Sequence, residues 1–235
     1  MKYSDRVTAI TNIIQNCSCL LDIGCDHGYV CIISCENGKA DRAIASDINA
    51  GPLRKASDNI IRAGLSDRIS TVLSDGLQNI EDGFDAVCIC GMGGLLIKDI
   101  IDKGKNRLKN VRQMVLGPHS ELFALRKYIF EETQFYILNE TVISEDGKYY
   151  SLWDVRNKAD KSDGIIPSDG YLMFGNPYIQ TDLTEYREML GFELSKRRKA
   201  INAISVSAGE KAFTKKNEIN REISLLNSLL DITGE

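Results

Sequence analysis

The stretch LLDIGCDHGYV, residues 20–30, holds the pattern that decides the fold of this chain. An apolar run passes directly into two carboxylates and two glycines, all between Asp22 and Gly28. Such a run is typical of a buried strand, and glycines at its end let the backbone turn sharply or approach a ligand closely. We therefore expect a strand, a tight turn with a binding site, and a helix over residues 28–37.

The same order of strand and helix repeats through residues 1–133. Apolar residues at helical spacing predict a first helix before the quoted stretch. Two β-rich runs flank the turn SEDG and predict an antiparallel hairpin at the sheet edge. The whole pattern predicts an α/β fold with a mostly parallel, Rossmann-like sheet covered by helices on both faces. Further strands are predicted at residues 42–47, 69–76, 84–94, 112–118, 135–143 and 148–156, and helices at 51–64, 95–104 and 120–133.

The chain changes character after residue 157. Residues 158–177 are rich in Asp, Ser, Gly and Pro, and they are predicted to be a loop or a domain junction. Beyond them, apolar residues at helical spacing are interrupted near Gly209, which predicts two helices packed as an antiparallel hairpin. We therefore expect two domains, residues 1–157 and residues 158–235.

Composition excludes several classes of protein. The formal net charge is −4, so contact with a nucleic acid would have to come from a local basic patch. The chain has no apolar run of the roughly 18 residues that a membrane span requires and no secretory leader, so we expect the cytoplasm and no membrane partner. Seven cysteines without a Cys-x-x-Cys pair, beside only two histidines, argue against a metal site and favour buried, reduced thiols.

Acidic residues and glycines cluster after four consecutive predicted strands. In an open parallel sheet, ligands bind beyond the carboxyl ends of the strands, where these loops meet. Each cluster alone is also what an ordinary turn uses, and only the four together favour a binding crevice. The candidate cofactor-binding residues are Asp22, Gly24, Asp26, His27, Gly28, Asp47, Ile48, Asn49, Asp75, Gly76 and Gly91.

The charges in this crevice indicate the kind of ligand. Asp26 occupies the position at which a dinucleotide-binding turn contacts pyrophosphate, and a carboxylate would repel that group. It would favour a ligand with positive charge, and S-adenosylmethionine has a sulfonium and an α-amino group. Asp47 is placed for the ribose hydroxyls, Asp75 for the adenine amino group and Ile48 for the face of the ring. His27 either contacts the carboxylate of the cofactor or caps a helix.

Five segments, in their order and spacing, resemble one family: LLDIGCDHGYV, ASDINAGPLRKASDNI, VLSDGL, CICGMGG and SEDGKYYSL. They are similar to the bacterial tRNA adenine-22 N1-methyltransferases over nearly the whole chain, most strongly over residues 20–97. The resemblance implies a class I methyltransferase domain followed by a helical coiled-coil domain. It also implies S-adenosylmethionine as methyl donor, no metal, and transfer to N1 of an adenine in the tRNA D-arm. Two departures are Gly117-Pro118, where the family tends to have Gln-Pro, and Tyr149-Tyr150, where it tends to have Tyr-Glu.

The resemblance also suggests which residues surround the reacting atoms. In this fold the loop after the fourth strand lies over the methyl group of the cofactor. Met92 in this loop would either pack on the target base or belong to the core. His119 follows the fifth strand near the expected base entrance, where an ordinary surface histidine is the alternative. The candidate catalytic residues, which would shape the pocket for the base, are Gly91, Met92, Gly93 and Gly94.

A run of cations is the candidate RNA-binding surface. On an arbitrary helix such a run is most simply a solvated face. Beside a methyltransferase domain of this type it predicts an arm that grips the tRNA backbone while the crevice reads one base. Arg6, in the first helix, would contact substrate phosphate or form an ordinary ion pair. We expect tRNA as the partner, no DNA, and a monomer. The cations are Lys196, Arg197, Arg198 and Lys199, with Lys215 and Lys216 in the second helix.

Two other functions fit parts of the pattern. A nicotinamide-dependent oxidoreductase could use the same sheet, but Asp26 at the phosphate position and the edge hairpin argue against it. Thermal stabilisation by S-adenosylhomocysteine and not by NAD would separate the two. A non-catalytic RNA-binding protein that retains the fold is kept open by the two departures, although the acids of the crevice argue against decay. A methyl-transfer assay on tRNA decides that question.

Overall fold

The computed structural model describes residues 3–157, 167–204 and 209–234. Within them, one sheet contains β1 (Cys17–Ile23), β2 (Ala40–Asp47), β3 (Ile69–Leu73), β4 (Ala86–Gly93), β5 (Gln113–Ser120), β6 (Phe135–Glu145) and β7 (Lys148–Asn157). The strand order is β3-β2-β1-β4-β5-β7-β6, and β7 runs antiparallel to both of its neighbours. The predicted parallel sheet with an antiparallel hairpin at its edge is confirmed.

Five helices cover the two faces of the sheet: α1 (Asp5–Ile13), α2 (Tyr29–Glu36), α3 (Ala50–Arg62), α4 (Gly94–Gly104) and α5 (Leu122–Glu132). Successive side chains of a strand point to opposite faces. Leu20 of β1 therefore packs in the cluster under α1, α2 and α3, whereas Leu21 packs in the cluster under α4 and α5. Both leucines are completely buried, so the quoted stretch contributes to both cores.

The cysteines belong to these cores. All seven are free thiols; six are buried and Cys90 is partly exposed. Burial raises the pKa of the Cys17 thiol to about 12, and it raises that of Cys31 well above its ordinary value. The prediction of reduced thiols that act as small apolar side chains is confirmed.

The C-terminal part contains α6 (Asp169–Phe174), a short 3-10 helix (Pro177–Ile179), α7 (Leu183–Ala203) and α8 (Gly209–Ile232). Tyr186 and Leu190 of α7 pack against Leu226 of α8, and Val142 of β6 belongs to the same cluster. The two predicted helices are present, and they rest on the edge of the sheet. The division into two domains at residue 158 stays a prediction.

One prediction for this part is wrong. Residues 158–166 of the predicted loop lie outside the described residues, but the described end of that range contains α6. The Ser168 hydroxyl caps this helix by accepting a hydrogen bond from the N–H of Tyr171 at 3.3 Å, and Leu172 and Phe174 are buried. The serine and aspartate that suggest a loop are here the N-cap and the first residue of a helix.

A buried ion pair joins α5 and β6 to the C-terminal part. Nε and Nη2 of Arg126 lie 3.1 and 2.8 Å from the two carboxylate oxygens of Glu140, and both side chains are almost fully buried. Nη1 of Arg126 donates to the carbonyl of Leu172 at 3.0 Å, and the guanidinium lies 4.5 Å from the ring centre of Trp153. This pair therefore holds α6 against the sheet.

Candidate active site

The turn between β1 and α2 is tied to the end of the neighbouring strand β2. The backbone N–H groups of Gly24 and Cys25 donate to the carbonyl of Ser46 at 2.8 and 3.0 Å. Gly24 and Gly28 have φ angles of +78° and +70°, a left-handed backbone that favours glycine. A Cβ on Gly28 would also lie 3.1 Å from the Cβ of Ala56 in α3. These glycines therefore permit both the turn and the close packing of α2 on α3.

A cavity of about 430 Å³, the β1 cavity, lies beyond the carboxyl end of β1. Its walls contain Arg6 and five of the predicted cofactor-binding residues, which the structure thus brings together: Asp22, Gly24, Asp26, His27 and Gly91. The sequence interpretation missed its other wall, which contains Tyr3 and Tyr29. The imidazole of His27 stacks on Tyr29 with ring centres 5.4 Å apart, and Tyr3 meets Tyr29 edge-on at 5.3 Å. One side of the cavity is therefore acidic and the other aromatic.

Asp22 is the most perturbed acid of this cavity. Its side chain is buried, and burial raises the pKa of its carboxyl group to about 7. A hydrogen bond with the Cys88 thiol acts in the opposite direction, and the negative charge of Asp47 raises the pKa further. A cationic ligand in the cavity would favour the ionised form of this group. Asp22 is therefore suited to gain its charge when such a ligand binds.

The ends of β2 and β3 hold the other predicted cofactor residues. Oδ1 of Asp47 accepts a hydrogen bond from the backbone N–H of Asn49 at 2.8 Å, which orients the carboxylate. The side chain of Ile48 is 61% exposed, so this apolar surface is accessible to a flat ligand such as an adenine ring. Asp75 and Gly76 line a different, smaller cavity of about 170 Å³ beside α4. The charge of Asp47 acts on Asp22, whereas Asp75 lines the cavity beside α4 and not the β1 cavity.

The glycine-rich loop after β4 packs tightly on its surroundings. The terminal methyl of Met92 occupies the space that a Cβ on Gly24 would need. Met92 also packs against the core cluster under α4 and α5, which favours the core alternative for this residue. A Cβ on Gly94 would lie 2.7 and 2.8 Å from the carbonyl oxygens of Ser120 and Glu121. Only glycine fits there, because backbone atoms cannot move aside as a flexible side chain does.

A second cavity of about 630 Å³, the hairpin cavity, lies between the β6–β7 turn, the end of β5 and α7. Its wall includes Tyr149, Tyr150 and Phe192, none of which the sequence interpretation proposed as binding residues. His119, which the resemblance places near a base entrance, lines the same cavity. The only sequence signal for its aromatic residues is the Tyr149-Tyr150 pair, which departs from the family pattern, whereas Arg6, Gly91 and Lys196 were already candidate site residues.

Arg6 lies in the wall of both cavities. Its backbone N–H donates to Oε1 of Glu145 at 3.1 Å, and its Nε lies 3.9 Å from Oε2 of the same carboxylate. Its guanidinium lies 4.7 Å from the ring centre of Tyr150. The ion-pair alternative for Arg6 is therefore present, and Tyr150 gives the arginine an aromatic partner where the family tends to have an acid.

The other departure, at Gly117, is matched by a neighbouring cysteine. Gly117 pairs with Cys90 across β4 and β5, and a Cβ on Gly117 would lie 2.8 Å from the Sγ of Cys90. The Cys90 side chain therefore occupies the space that a larger residue at position 117 would need.

The predicted RNA-binding cations differ in their surroundings. Arg197 is half-buried: its Nε lies 2.6 Å from Oε2 of Glu222, it also bonds Glu193, and its guanidinium lies 4.9 Å from the ring centre of Phe174. This arginine connects α7 to α8 and α6. Lys215 lies 3.0 Å from Glu218 on the surface. The remaining members are exposed: Lys196, Arg198, Lys199 and Lys216.

The strand order, the reversed β7 and the acidic, glycine-rich crevice beyond β1 define a class I methyltransferase. Within the described residues no helix is long and apolar enough to cross a membrane, and no group of three metal-binding side chains comes together. The chain matches the model of the TrmK family, tRNA (adenine(22)-N(1))-methyltransferase, over residues 20–228. It belongs to that family.

Named relatives agree with this assignment. The tRNA (adenine(22)-N(1))-methyltransferase of Bacillus subtilis (strain 168) is 31% identical over 237 residues, which cover 98% of each chain. TrmK of M. capricolum, solved in complex with S-adenosyl-homocysteine, is 28% identical with a TM-score of 0.83, covering 99% of this chain and 100% of that one. A Streptococcus pneumoniae protein solved with S-adenosyl-L-methionine is 25% identical with a TM-score of 0.81, covering 97% and 100%. The resemblance drawn from the sequence motifs is confirmed.

Proposed function

We propose that this chain transfers a methyl group from S-adenosylmethionine to N1 of adenine 22 in the D-arm of tRNA. The observation that carries the proposal is the pair of adjoining cavities, which share Arg6 and Gly91 in their walls. A cofactor in the β1 cavity and a base in the hairpin cavity would meet at Gly91. A Cβ built on Gly91 would have no atom within 4 Å beyond its own residue and its two chain neighbours, so the space beside this residue is open. Membership of the TrmK family supports the same donor and acceptor.

The residues of the β1 cavity fit the cationic end of S-adenosylmethionine. Asp22 and Asp26 bring two carboxylates to one wall, which suits a ligand with sulfonium and ammonium groups. His27, stacked on Tyr29, is proposed to meet the carboxylate of the methionine part. We propose that the backbone at Gly24 and Gly28 approaches the ligand closely.

The adenosine part is assigned to the loops after β2 and β3. Asp47 is proposed to bind the ribose hydroxyls, with its carboxylate oriented by the N–H of Asn49. The exposed side chain of Ile48 would cover the adenine ring. Asp75 is proposed to accept from the adenine amino group, with Gly76 beside it; both residues line the smaller cavity beside α4.

When bound, S-adenosylmethionine would supply an electrophilic methyl group: as the lone pair of adenine N1 forms a bond to the methyl carbon, the sulfur–carbon bond would break and leave its electrons on the sulfur of S-adenosylhomocysteine. The chain contributes alignment and exclusion of water. Met92 packs against Gly24 from the core side and so supports that part of the β1 cavity, and the glycines Gly91, Gly93 and Gly94 are proposed to let the loops approach the meeting point. Neutral N1 needs no deprotonation before attack, so we assign no general base to the transfer.

The test is to incubate the purified protein with S-adenosylmethionine and unmodified tRNA and to analyse the nucleosides of the product. We expect 1-methyladenosine at position 22, and we expect none when that adenine is replaced by another base. Transfer to a different nucleotide would contradict the proposal. So would thermal stabilisation by NAD in place of S-adenosylhomocysteine.

The exposed cations of α7 and α8 are proposed to bind tRNA phosphates, in a monomer that acts in the cytoplasm without a DNA or membrane partner. The group comprises Lys196, Arg198, Lys199, Lys215 and Lys216. Arg197 is not included, since its guanidinium is occupied by two carboxylates. Because each phosphate contact releases counterions, binding through this surface should depend steeply on salt.

Replacing Lys196, Arg198 and Lys199 together with alanine is expected to weaken tRNA binding and to lower its logarithmic salt slope by about two to three. Binding of S-adenosylhomocysteine should not change, since none of the three lines the β1 cavity. The measurement is tRNA affinity between about 50 and 200 mM salt. The matched control replaces the exposed Lys105, Lys109 and Lys127, none of which lines either cavity. An unchanged slope in the first variant would show that α7 does not contact phosphates.

Cofactor affinity is expected to fall as the pH drops below about 7, because Asp22 must then lose a proton to receive the cation. The pKa of Asp22 is higher in the folded protein than in the unfolded chain, so protonation of Asp22 stabilises the ligand-free fold. This contribution to stability is lost as the pH rises through about 7. The limiting slope is about tenfold per pH unit. Calorimetry with S-adenosylhomocysteine from pH 6 to pH 8 measures it. Asp22→Asn should bind more weakly with a flat profile. A slope that survives Asp22→Asn would assign the proton to another group.

A further inference from the structure

Helix α7 contributes directly to the hairpin cavity. Phe192, Glu193 and Lys196 of α7 line it together with Gly91 of β4 and Tyr149 of β7. The cavity therefore lies at the junction of the sheet and the helical hairpin. If α7 only bound tRNA phosphates at a distance from the reacting base, it would not need to contribute side chains to this cavity.

An aromatic pair forms part of this wall. The rings of Tyr149 and Phe192 lie 5.5 Å apart with an interplanar angle of 53°. Tyr149 is half-buried and packs against the cluster that holds α7 and α8 to β6, which fixes its position. Phe192 is 47% exposed, although it lies on a helix whose other face buries Leu190 and Leu194. A large apolar ring that is held in place and left half in solvent provides a surface on which a nucleobase stacks.

The charges around this pair favour a polyanion. Arg6, Lys148 and Lys196 line the same cavity as the two rings, and the opposing carboxylates are Glu193 in the wall and Glu145, which pairs with Arg6. Glu193 lies 3.7 Å from Lys196 and also bonds Arg197, so its charge is compensated. A locally positive, aromatic cavity in a chain of net charge −4 matches single-stranded nucleic acid, which needs cations for phosphates and rings for bases.

We propose that Tyr149 and Phe192 form a stacking platform for the base of a nucleotide directly next to the target adenine. Gly91 and Arg6 border both cavities, whereas Phe192 and Lys196 line the hairpin cavity at its α7 side. The target base therefore belongs beside Gly91, and the neighbouring base belongs on Phe192. An adenine that leaves a stacked strand exposes its neighbours, and enzymes of this kind commonly hold them. The proposal rests on the proposed function.

The first test is Phe192→Ala. We expect the KM for unmodified tRNA to rise roughly 5- to 100-fold, since one base stacked on an aromatic ring has that effect. The affinity for S-adenosylhomocysteine should stay unchanged, and Phe192→Tyr should restore the KM. Leu183→Ala is the matched control, because Leu183 lies on the same helix with 46% exposure and outside the cavity wall. An unchanged KM in Phe192→Ala, or equal losses in the two alanine variants, would overturn the platform.

The second test removes the stacked base and not the ring. Binding of the wild type and of Phe192→Ala is measured with tRNA that is abasic at the nucleotide before or after the target adenine. At one of the two positions the abasic change should weaken binding to the wild type several-fold and should have little further effect on the variant. Additive losses at both positions would refute the platform. Coupling without formation of 1-methyladenosine by the wild type would support the platform and contradict the proposed reaction, so the two failures are distinguishable.

Discussion

Glu140→Ala is expected to lower the free energy of unfolding by about 3–5 kcal/mol, which is the usual cost of leaving one member of a buried ion pair without its partner. Arg126 would keep its positive charge among Trp153, Leu172 and the 3-10 helix, with its side chain 4% exposed. Gln180 would lose an acceptor as well, since its Nε2 lies 3.4 Å from Oε2 of Glu140. Urea unfolding followed by near-ultraviolet circular dichroism measures the loss.

A surface ion pair provides the control for this prediction. Asp99 and Lys103 lie 3.5 Å apart on α4 and are 63% and 68% exposed, so Asp99→Ala should cost about 0.5 kcal/mol or less. The double variant Arg126→Met with Glu140→Leu should recover part of the loss, because it leaves no buried charge. If Glu140→Ala is no less stable than Asp99→Ala, the pair does not hold α6 on the sheet.

The ion pair also shows where prediction from sequence ends. The period of apolar residues predicts the strands and helices of the sheet, because each element buries its own face and carries that pattern locally. Helix α6 has six residues in a stretch rich in Ser, Asp and Gly, which reads as a loop. Its stability comes from Phe174 in a distant cluster and from the hydrogen bond between Arg126 and Leu172. No local pattern encodes contacts between segments so far apart in the chain.

The same limit applies to the site. The position of Asp22, Gly24 and Asp26 in one cavity was predictable because acids and glycines at the end of a central parallel strand lie where ligands bind in such sheets. The hairpin cavity was not, since Arg6 and Phe192 come from opposite ends of the chain and meet through packing. Arg197 was predicted to bind RNA because it stands among exposed cations, and only the fold reveals the carboxylates of Glu193 and Glu222 around it.

Asp47→Ala is expected to weaken the binding of S-adenosylhomocysteine by roughly 100-fold or more. Each hydrogen bond to a charged group contributes about 1.5–3 kcal/mol, and a ribose offers two hydroxyls to one carboxylate. Asp47 ends β2 beside the turn that follows β1, because the N–H groups of Gly24 and Cys25 bond Ser46. Loss of this carboxylate removes an acceptor that the backbone there cannot replace. Calorimetric titration at fixed pH measures the change.

Two further variants separate a lost contact from a disturbed loop. Asp47→Asn keeps an oxygen that can accept from the N–H of Asn49, the bond that Oδ1 of Asp47 makes at 2.8 Å. It should preserve the loop but lose the charge, so an intermediate loss of affinity is expected. Asp41→Ala removes an exposed carboxylate from the same strand near its other end and should leave the affinity unchanged. If Asp47→Ala and Asp41→Ala bind equally well, the ribose is not held at the end of β2. The adenosine part would then have to lie elsewhere along the edge formed by β1 and β4, beside the β1 cavity that is proposed for the methionine end and is lined by Asp22 and Gly91.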